Sequence, residues 1–226
     1  AKGLGLAPRQ ELLWPALTQA IGAPRRSLRL VSGYFVPTVA GVEAFADLAR
    51  AGVNFAILTN ALRATDVPVV HAGYAGYRAP LLRAGVRLFQ LHGIGRAPPP
   101  KLGEGTVIGG SVGGGSSASA LHAKTFVVDD ERLFVGSFNF DPRSLHLNTE
   151  LGFVIESPDL ARAVEEGFAR LVPEAAYEVR LAAHGALAWI ERRGADAVRH
   201  DVEPGTTAFS RGLIWLLSLL PIEGLL

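Results

Sequence analysis

The feature that most constrains the fold is an alternation of strand-like and helix-like segments in the first part of the chain. Residues 28–35 (LRLVSGYF), 53–59 (VNFAILT) and 86–91 (VRLFQL) predict strands, and residues 39–51 and 66–84 predict the helices between them. Consecutive strands separated by helices are typical of parallel strands covered by helices. The first ninety residues therefore predict an α/β fold.

One further helix is predicted before these segments, and more strands and another helix are predicted after them. The expected helices cover residues 8–21 and 158–171, and the expected strands cover 121–129, 132–138, 150–156 and one or two segments within 177–201. With 226 residues, 49% of them hydrophobic, the chain can bury the core of one large domain or two small ones.

Two segments depart from this pattern. Residues 92–119 include the run GGSVGGGSSAS, which predicts a flexible surface loop. This loop is expected to be mobile and to lie beside the functional site described below. The tail, residues 212–226, is strongly apolar, but only about eight uninterrupted apolar-rich positions precede Pro221, against roughly 20 needed to span a bilayer. The tail is therefore not expected to be a transmembrane helix.

One cluster of polar residues suggests chemistry. His122 and Lys124 are two residues apart, so on a strand their side chains point to the same face. A hairpin with residues 130–131 as its turn places Lys124 opposite Ser137. The same register places His122 opposite Asn139, and directly opposed residues share a face with Cβ atoms roughly 5 Å apart. This register predicts a patch of imidazole, ammonium, hydroxyl and carboxamide groups.

Such a patch suits attack on a phosphodiester. An imidazole can be a nucleophile or a proton donor, while Lys124, Ser137 and Asn139 supply donors to charge on the phosphoryl oxygens. Because these groups can stabilise that charge, no metal and no other cofactor is expected. The alternative interpretation is a strand with inert polar residues on its solvent face.

Two carboxylates accompany the patch. Asp129 has the opposite parity to His122 and lies at a strand end, so it is expected to hold the turn or a neighbouring basic group rather than to transfer protons. Glu150 begins the next strand and is expected to accept the second N–H of His122, which would fix the imidazole tautomer. The alternative for Glu150 is an ordinary residue at a strand end.

This spacing resembles the H-x-K-x(4)-D-x(6)-G-S-x-N signature of the phospholipase D superfamily. The residues that match it are His122, Lys124, Asp129, Gly136, Ser137 and Asn139. Residues 32–91 and the apolar end with LLPIE look like the C-terminal half of bacterial cardiolipin-synthase-like members. The resemblance covers residues 10–226 and implies one phospholipase-D-like domain over residues 1–226, with a mixed β-sheet flanked by helices.

The resemblance also implies half of a two-motif, bilobal enzyme. Members of this subgroup bring two such motifs to a shared site, where one His forms a phosphohistidine and the other protonates the leaving alcohol. The C-terminal His, here His122, is more often the general acid. This chain contains one H-x-K sequence. The second motif is therefore expected from an absent N-terminal half or from a homodimer partner.

The function implied is phosphatidyl transfer in cardiolipin synthesis, or phospholipid hydrolysis. The expected partners are a phospholipid, a membrane surface and a second motif-bearing half, with peripheral attachment to the cytoplasmic face of the bacterial inner membrane. A net charge of +1, from 22 basic and 21 acidic residues, argues against a nucleic-acid partner. The alternatives are a one-motif nuclease acting as a homodimer and a catalytically incomplete scaffold half.

Overall fold

A computed structural model describes residues 13–92 and 120–220 of the chain. The strands are β1 (Ser27–Ser32), β2 (Asn54–Asn60), β3 (Arg87–Leu91), β4 (Lys124–Val128), β5 (Arg132–Gly136), β6 (Gly152–Glu156), β7 (Ala176–Leu181), β8 (Leu187–Arg193) and β9 (Asp196–His200). The helices are α1 (Leu13–Ile21), α2 (Thr38–Arg50), α3 (Pro68–Ala75), α4 (Arg78–Arg83), α5 (Pro142–His146), α6 (Pro158–Ala175) and α7 (Ala208–Ser218).

The nine strands form one mixed sheet in the order β6-β5-β4-β1-β2-β3-β7-β8-β9. Strands β1, β2 and β3 run parallel to one another, and every other neighbouring pair is antiparallel. Parallel neighbours need a crossover connection, which α2 provides between β1 and β2. The predicted α/β fold class, a mixed sheet flanked by helices, is confirmed.

The central strands are buried on both faces, and their side chains alternate between two cores. In β1, Leu28 and Leu30 face the larger core, to which Phe45 of α2 also belongs. Val31 faces the second core, where Phe168 of α6 packs. This arrangement explains why β1 and β2 read as nearly continuous apolar runs, since both faces exclude water.

Two predicted elements are divided in the structure. The single helix expected over 66–84 is two helices, α3 and α4, joined at Gly76 and Tyr77. Pro80 accounts for the break, because its ring in a continuous helix would clash with the carbonyl of Gly76. The one or two strands expected within 177–201 are three, β7, β8 and β9.

The β4–β5 hairpin has a register that differs by one residue from the predicted one. Val128 pairs with Arg132, because the turn contains residues 129–131 rather than two residues. Asp129 and Asp130 both adopt φ of 56° in this turn, a left-handed conformation that Asp tolerates better than most residues do.

The predicted opposition of Lys124 to Ser137 and of His122 to Asn139 is therefore wrong. A shift of one residue moves a side chain to the other face of a sheet. Moreover, β4 begins at Lys124 and β5 ends at Gly136, so three of these four residues lie beyond the strands. Any site that they form must be assembled by the chain outside the ladder.

Some sequence predictions concern residues that are not described. The predicted flexible loop over 92–119 lies outside the described residues except for His92, as do residues 221–226 of the apolar tail. Residues 212–218 of that tail belong to α7. Within the two described ranges, no helix is both long and apolar enough to cross a membrane.

Candidate active site

Except for Asp129, which is in the hairpin turn, the motif residues lie at one end of the sheet, where the chain enters β4 and leaves β5. Ser32 at the end of β1 pairs with Lys124, and the backbone N–H of Gly33 donates to the carbonyl of Ala123 at 3.2 Å. A Cβ atom on Gly33 would lie 2.0 Å from the carbonyl oxygen of Leu121. Glycine is therefore required for the backbone to pass this close to the residues before Lys124.

The chain before His122 is fixed by Asn60, which is 3% exposed at the end of β2. The Asn60 amide nitrogen donates to the carbonyls of Leu121 at 3.1 Å and of Gly33 at 3.0 Å. The N–H of Leu121 donates back to the Asn60 oxygen at 2.8 Å. Sequence reasoning missed Asn60, although a polar residue ending the apolar run FAILTN was a usable signal.

His122 is exposed, whereas its neighbour Lys124 is only 9% exposed. The Lys124 ammonium donates to the backbone carbonyl of His122 at 2.8 Å. Burial lowers the pKa of Lys124, and the nearby carboxylates of Glu150, Asp141 and Asp66 oppose that effect. The site thus contains a buried ammonium that is bonded to the backbone of a residue with an accessible imidazole.

Ser137 and Glu150 are joined directly. The Ser137 hydroxyl donates to Glu150 Oε2 and accepts from the N–H of Leu151 at 3.0 Å, while Asn148 donates to Glu150 Oε1 at 3.1 Å. The predicted hydrogen bond from His122 to Glu150 is not formed. The Glu150 oxygens are engaged by Ser137 and Asn148 instead. The negative charge of Glu150 also raises the pKa of Lys124.

Asn139 lies in the segment after β5 and is half-buried. Its side-chain oxygen is buried and has no hydrogen-bond partner among the described residues. An unpaired buried acceptor costs folding free energy unless water or a ligand satisfies it. Asn139 therefore brings an unused acceptor to this part of the fold.

Asp129 lies in the hairpin turn, and its carboxylate holds the backbone there. Its carboxylate accepts from the backbone N–H groups of Arg25 at 3.0 Å and 3.1 Å, of Arg26 at 2.7 Å and of Ser27 at 2.9 Å. Burial alone would raise the pKa of Asp129, but the backbone donors outweigh it and hold the pKa below its ordinary value. Asp129 thus ties the hairpin turn to the start of β1.

Two further residues that the motif did not indicate lie next to Lys124. The ammonium is 5.9 Å from the centre of the Tyr34 ring, and the Tyr34 hydroxyl donates to both oxygens of Asp66 at 3.0 Å. Among the described residues, no group of three or more His, Asp or Glu could hold a metal ion. The groups at the site that can donate to an anion are the ammonium of Lys124 and the exposed imidazole of His122.

Comparisons with known proteins point to one family. The profile of the family described as cardiolipin synthase, PLD-like domain, matches residues 17–172. Cardiolipin synthase C of Escherichia coli K12 is 45% identical over 226 residues, which are the whole of this chain and 46% of that protein. The chain thus spans less than half the length of this relative.

Solved structures show the same fold. The phospholipase D family member Nuc from Salmonella typhimurium superposes with a TM-score of 0.52 at 19% identity, covering 74% of this chain and 90% of Nuc. Phosphatidylserine synthase from Haemophilus influenzae superposes with a TM-score of 0.57 at 13% identity, covering 94% of this chain and 44% of the synthase. At these identities the likeness concerns the fold alone.

Proposed function

The chain belongs to the cardiolipin synthase family of phospholipase-D-like domains, and on that premise we propose that it contributes His122 to phosphatidyl transfer from a phospholipid to an alcohol, with water as the competing acceptor. One observation carries the proposal. His122 is exposed at the end of the sheet, and the ammonium of the buried Lys124 donates to its backbone carbonyl. A phosphodiester placed there meets a proton donor and a fixed positive charge together.

The proposed reaction has two displacements. An imidazole of a second motif attacks phosphorus, the bond to the leaving alcohol breaks, and that alcohol oxygen takes a proton from His122. The acceptor hydroxyl then gives its proton to His122 while its oxygen displaces the phosphorus-bound imidazole. Lys124 donates hydrogen bonds to the phosphoryl oxygens, and the Ser137 hydroxyl joins it only when its single proton turns from Glu150 to the phosphodiester.

The second imidazole comes from another motif-bearing unit, because a single imidazole cannot lie on both sides of phosphorus in one step. Exposed apolar side chains beside the site support a partner surface there. Leu151 and Phe153 are 68% and 64% exposed, and Phe153 pairs with the partly exposed Val135 on the neighbouring strand. This partner is an N-terminal half in a longer protein or a second copy of this chain.

The test of the catalytic role is His122→Asn in the intact protein, assayed on phosphatidylglycerol vesicles by mass spectrometry of the lipid products. We expect turnover to fall by at least about 10²–10⁴-fold, the usual contribution of general acid–base catalysis. His184→Asn is the matched control, because His184 is exposed and its φ of 59° suits Asn. Equal turnover in both variants would overturn the proposal, and cleavage of DNA instead of lipid would favour the nuclease alternative.

The need for a second motif is tested with the 226-residue chain alone, after its mass in solution has been measured. A verified monomer should give no multiple turnover on phospholipid. Activity should appear on dimerisation or on addition of a second motif-bearing unit. Robust turnover by the monomer, abolished by His122→Asn, would contradict the two-motif mechanism.

Helix α7 supports attachment to a lipid surface. Ile214 of α7 packs on Ala72 of α3, which leaves the opposite side of the helix unpartnered among the described residues. The large apolar side chains exposed there are Phe209, Leu213, Trp215 and Leu216, followed by Leu219 and Leu220. A helix that presents Trp, Phe and Leu to the outside is suited to lie in the interface of a bilayer.

Vesicle sedimentation tests this attachment. Trp215→Ser should lower the fraction of protein bound to phosphatidylglycerol vesicles, while Val39→Ser, at a comparably exposed apolar residue of α2, should not. If the two variants bind vesicles equally well, α7 does not provide the lipid contact. The proposed location is peripheral, on the cytoplasmic face of the bacterial inner membrane.

A further inference from the structure

Residues outside the motif contact or surround the Lys124 ammonium. Among the described contacts, its hydrogen bond goes to the carbonyl of His122, which fixes one side of the group. The ammonium also lies 5.9 Å from the centre of the Tyr34 ring, within the range of a cation–π interaction. A backbone oxygen and an aromatic ring are therefore both close to the ammonium.

Tyr34 is itself fixed from two directions. The Ser32 hydroxyl donates to the backbone carbonyl of Tyr34 at 2.6 Å, and the N–H of Phe140 donates to the Ser32 oxygen at 3.3 Å. At the far end of the ring, the hydroxyl donates to both oxygens of Asp66, in the loop after β2. Burial and this bond to Asp66 raise the pKa of Tyr34 to about 12, so the hydroxyl keeps its proton at neutral pH.

Three carboxylates act on the Lys124 charge, and they are held in different ways. Glu150 is bonded to Ser137, and Asp141 is buried at the start of α5, where it accepts from the N–H of Ser144 at 2.7 Å. Asp66 is exposed, and among the described residues its hydrogen bonds come from the Tyr34 hydroxyl. The bond from Tyr34 is therefore the described contact that holds the Asp66 carboxylate, whose charge favours the protonated form of Lys124.

We propose that Tyr34 and Asp66 act as one unit that positions the Lys124 ammonium for the phosphodiester. The ring supports the cation, and the hydroxyl keeps the Asp66 carboxylate close enough to favour its charged form. Neither residue touches the reacting atoms, so both are positioning residues. This inference rests on the proposed function for its consequence in catalysis, but not for its effect on Lys124.

The first test measures the pKa of Lys124 by NMR in the full chain, without substrate. The chain contains three lysines, at positions 2, 101 and 124, so the Lys124 signal can be assigned by comparison with Lys124→Arg. Asp66→Asn should lower this pKa, because a neighbouring negative charge that favours the ammonium is lost. Tyr34→Phe should also lower the pKa of Lys124, because it keeps the ring but removes the hydroxyl that holds Asp66.

Because the two residues act as one unit, Tyr34→Phe combined with Asp66→Asn should give no larger change than Asp66→Asn alone. The matched control is Asp47→Asn, at an exposed carboxylate of α2 paired with Arg50, which should leave the pKa of Lys124 unchanged. An unchanged pKa in Asp66→Asn, or additive effects of the two substitutions, would overturn the proposal.

The second test measures turnover in the intact enzyme. Tyr34→Leu removes the aromatic face and should lower kcat by about 2- to 30-fold, the range expected for a cation–π contact, while Tyr34→Phe retains most of kcat. In Asp66→Asn the alkaline limb of the rate profile should move to lower pH, because Lys124 loses its proton earlier. If Lys124→Arg and Lys124→Ala leave turnover intact while the NMR changes persist, the proposed function fails and the positioning of Lys124 stands.

Discussion

Replacing Asp129 separates a structural from a catalytic role for the acidic residue of the motif. Asp129→Asn keeps one carbonyl oxygen for the N–H groups of Arg26 and Ser27, but it turns the second oxygen into an amide that faces the N–H of Arg25. A hydrogen bond to a charged acceptor contributes about 1 kcal/mol more than one to a neutral acceptor. Three backbone donors are affected and two of them are only partly buried, so we expect a loss of about 2 kcal/mol in the free energy of unfolding.

Urea unfolding followed by tryptophan fluorescence gives this difference directly. The control is Asp130→Asn, because the carboxylate of Asp130 makes only a long contact of 3.5 Å with the Ser27 hydroxyl. The kcat of the folded Asp129→Asn enzyme should be close to that of the wild type. A loss of turnover without a loss of stability, or equal destabilisation in both variants, would refute the structural role.

The same carboxylate predicts a dependence on pH. The folded-state pKa of Asp129 lies below its ordinary value of 3.8, so its charge stabilises the fold above that value. This contribution is lost as the pH falls through the lower folded-state pKa. The stability difference between wild type and Asp129→Asn should therefore be constant near neutrality and shrink in acid.

Asn60→Asp removes the N–H donors that hold Gly33 and Leu121, so the free energy of unfolding should fall by about 1–3 kcal/mol. Urea titration measures this change, with Asn54→Asp at the exposed start of the same strand as the control. Prolonged chelation of the intact enzyme should leave turnover nearly unchanged, and a large loss restored by one divalent metal would contradict this. Burial alone would raise the pKa of Glu203, but the contacts with His71 and Arg78 lower it to about 2. Glu203→Gln should therefore destabilise the chain at neutral pH, and acid titration of both proteins should show the difference fading below about pH 4.

Periodicity was sufficient for most of the fold but not for the hairpin register. The nearly continuous apolar runs of β1 and β2 predict both strands, because side chains on both faces enter cores that exclude water. The turn at residues 129–131 has no comparable sequence signal. Its length depends on two consecutive Asp residues adopting positive φ, a conformation stabilised here by the bonds between Asp129 and the chain before β1.

The motif identifies the chemical groups of the site, whereas the contacts that hold them come from distant segments. His122 and Lys124 are evident from the sequence, whereas Asn60 ends β2, and Tyr34 and Asp66 lie in the loops after β1 and β2. Their proximity to the motif depends on the order of strands in the sheet, which places β1 beside β4. A single sequence does not contain that order, so Tyr34 and Asp66 could not be predicted, and Asn60 could be noticed only as a polar end to an apolar run.

The placement of β4 between β5 and β1 has a consequence for how the site can be transplanted. On one side β4 pairs with the strand that follows it, but on the other it pairs with β1, and Asp129 bonds to Arg25 across 104 residues of chain. A peptide or grafted hairpin containing residues 121–150 would carry every motif residue and yet lack Asn60, Tyr34 and the backbone that Asp129 holds. Contacts this distant must also wait for a long loop to close during folding. The motif therefore cannot be transferred by itself, and the smallest unit that could be moved to another protein extends from Arg25, just before β1, through β6.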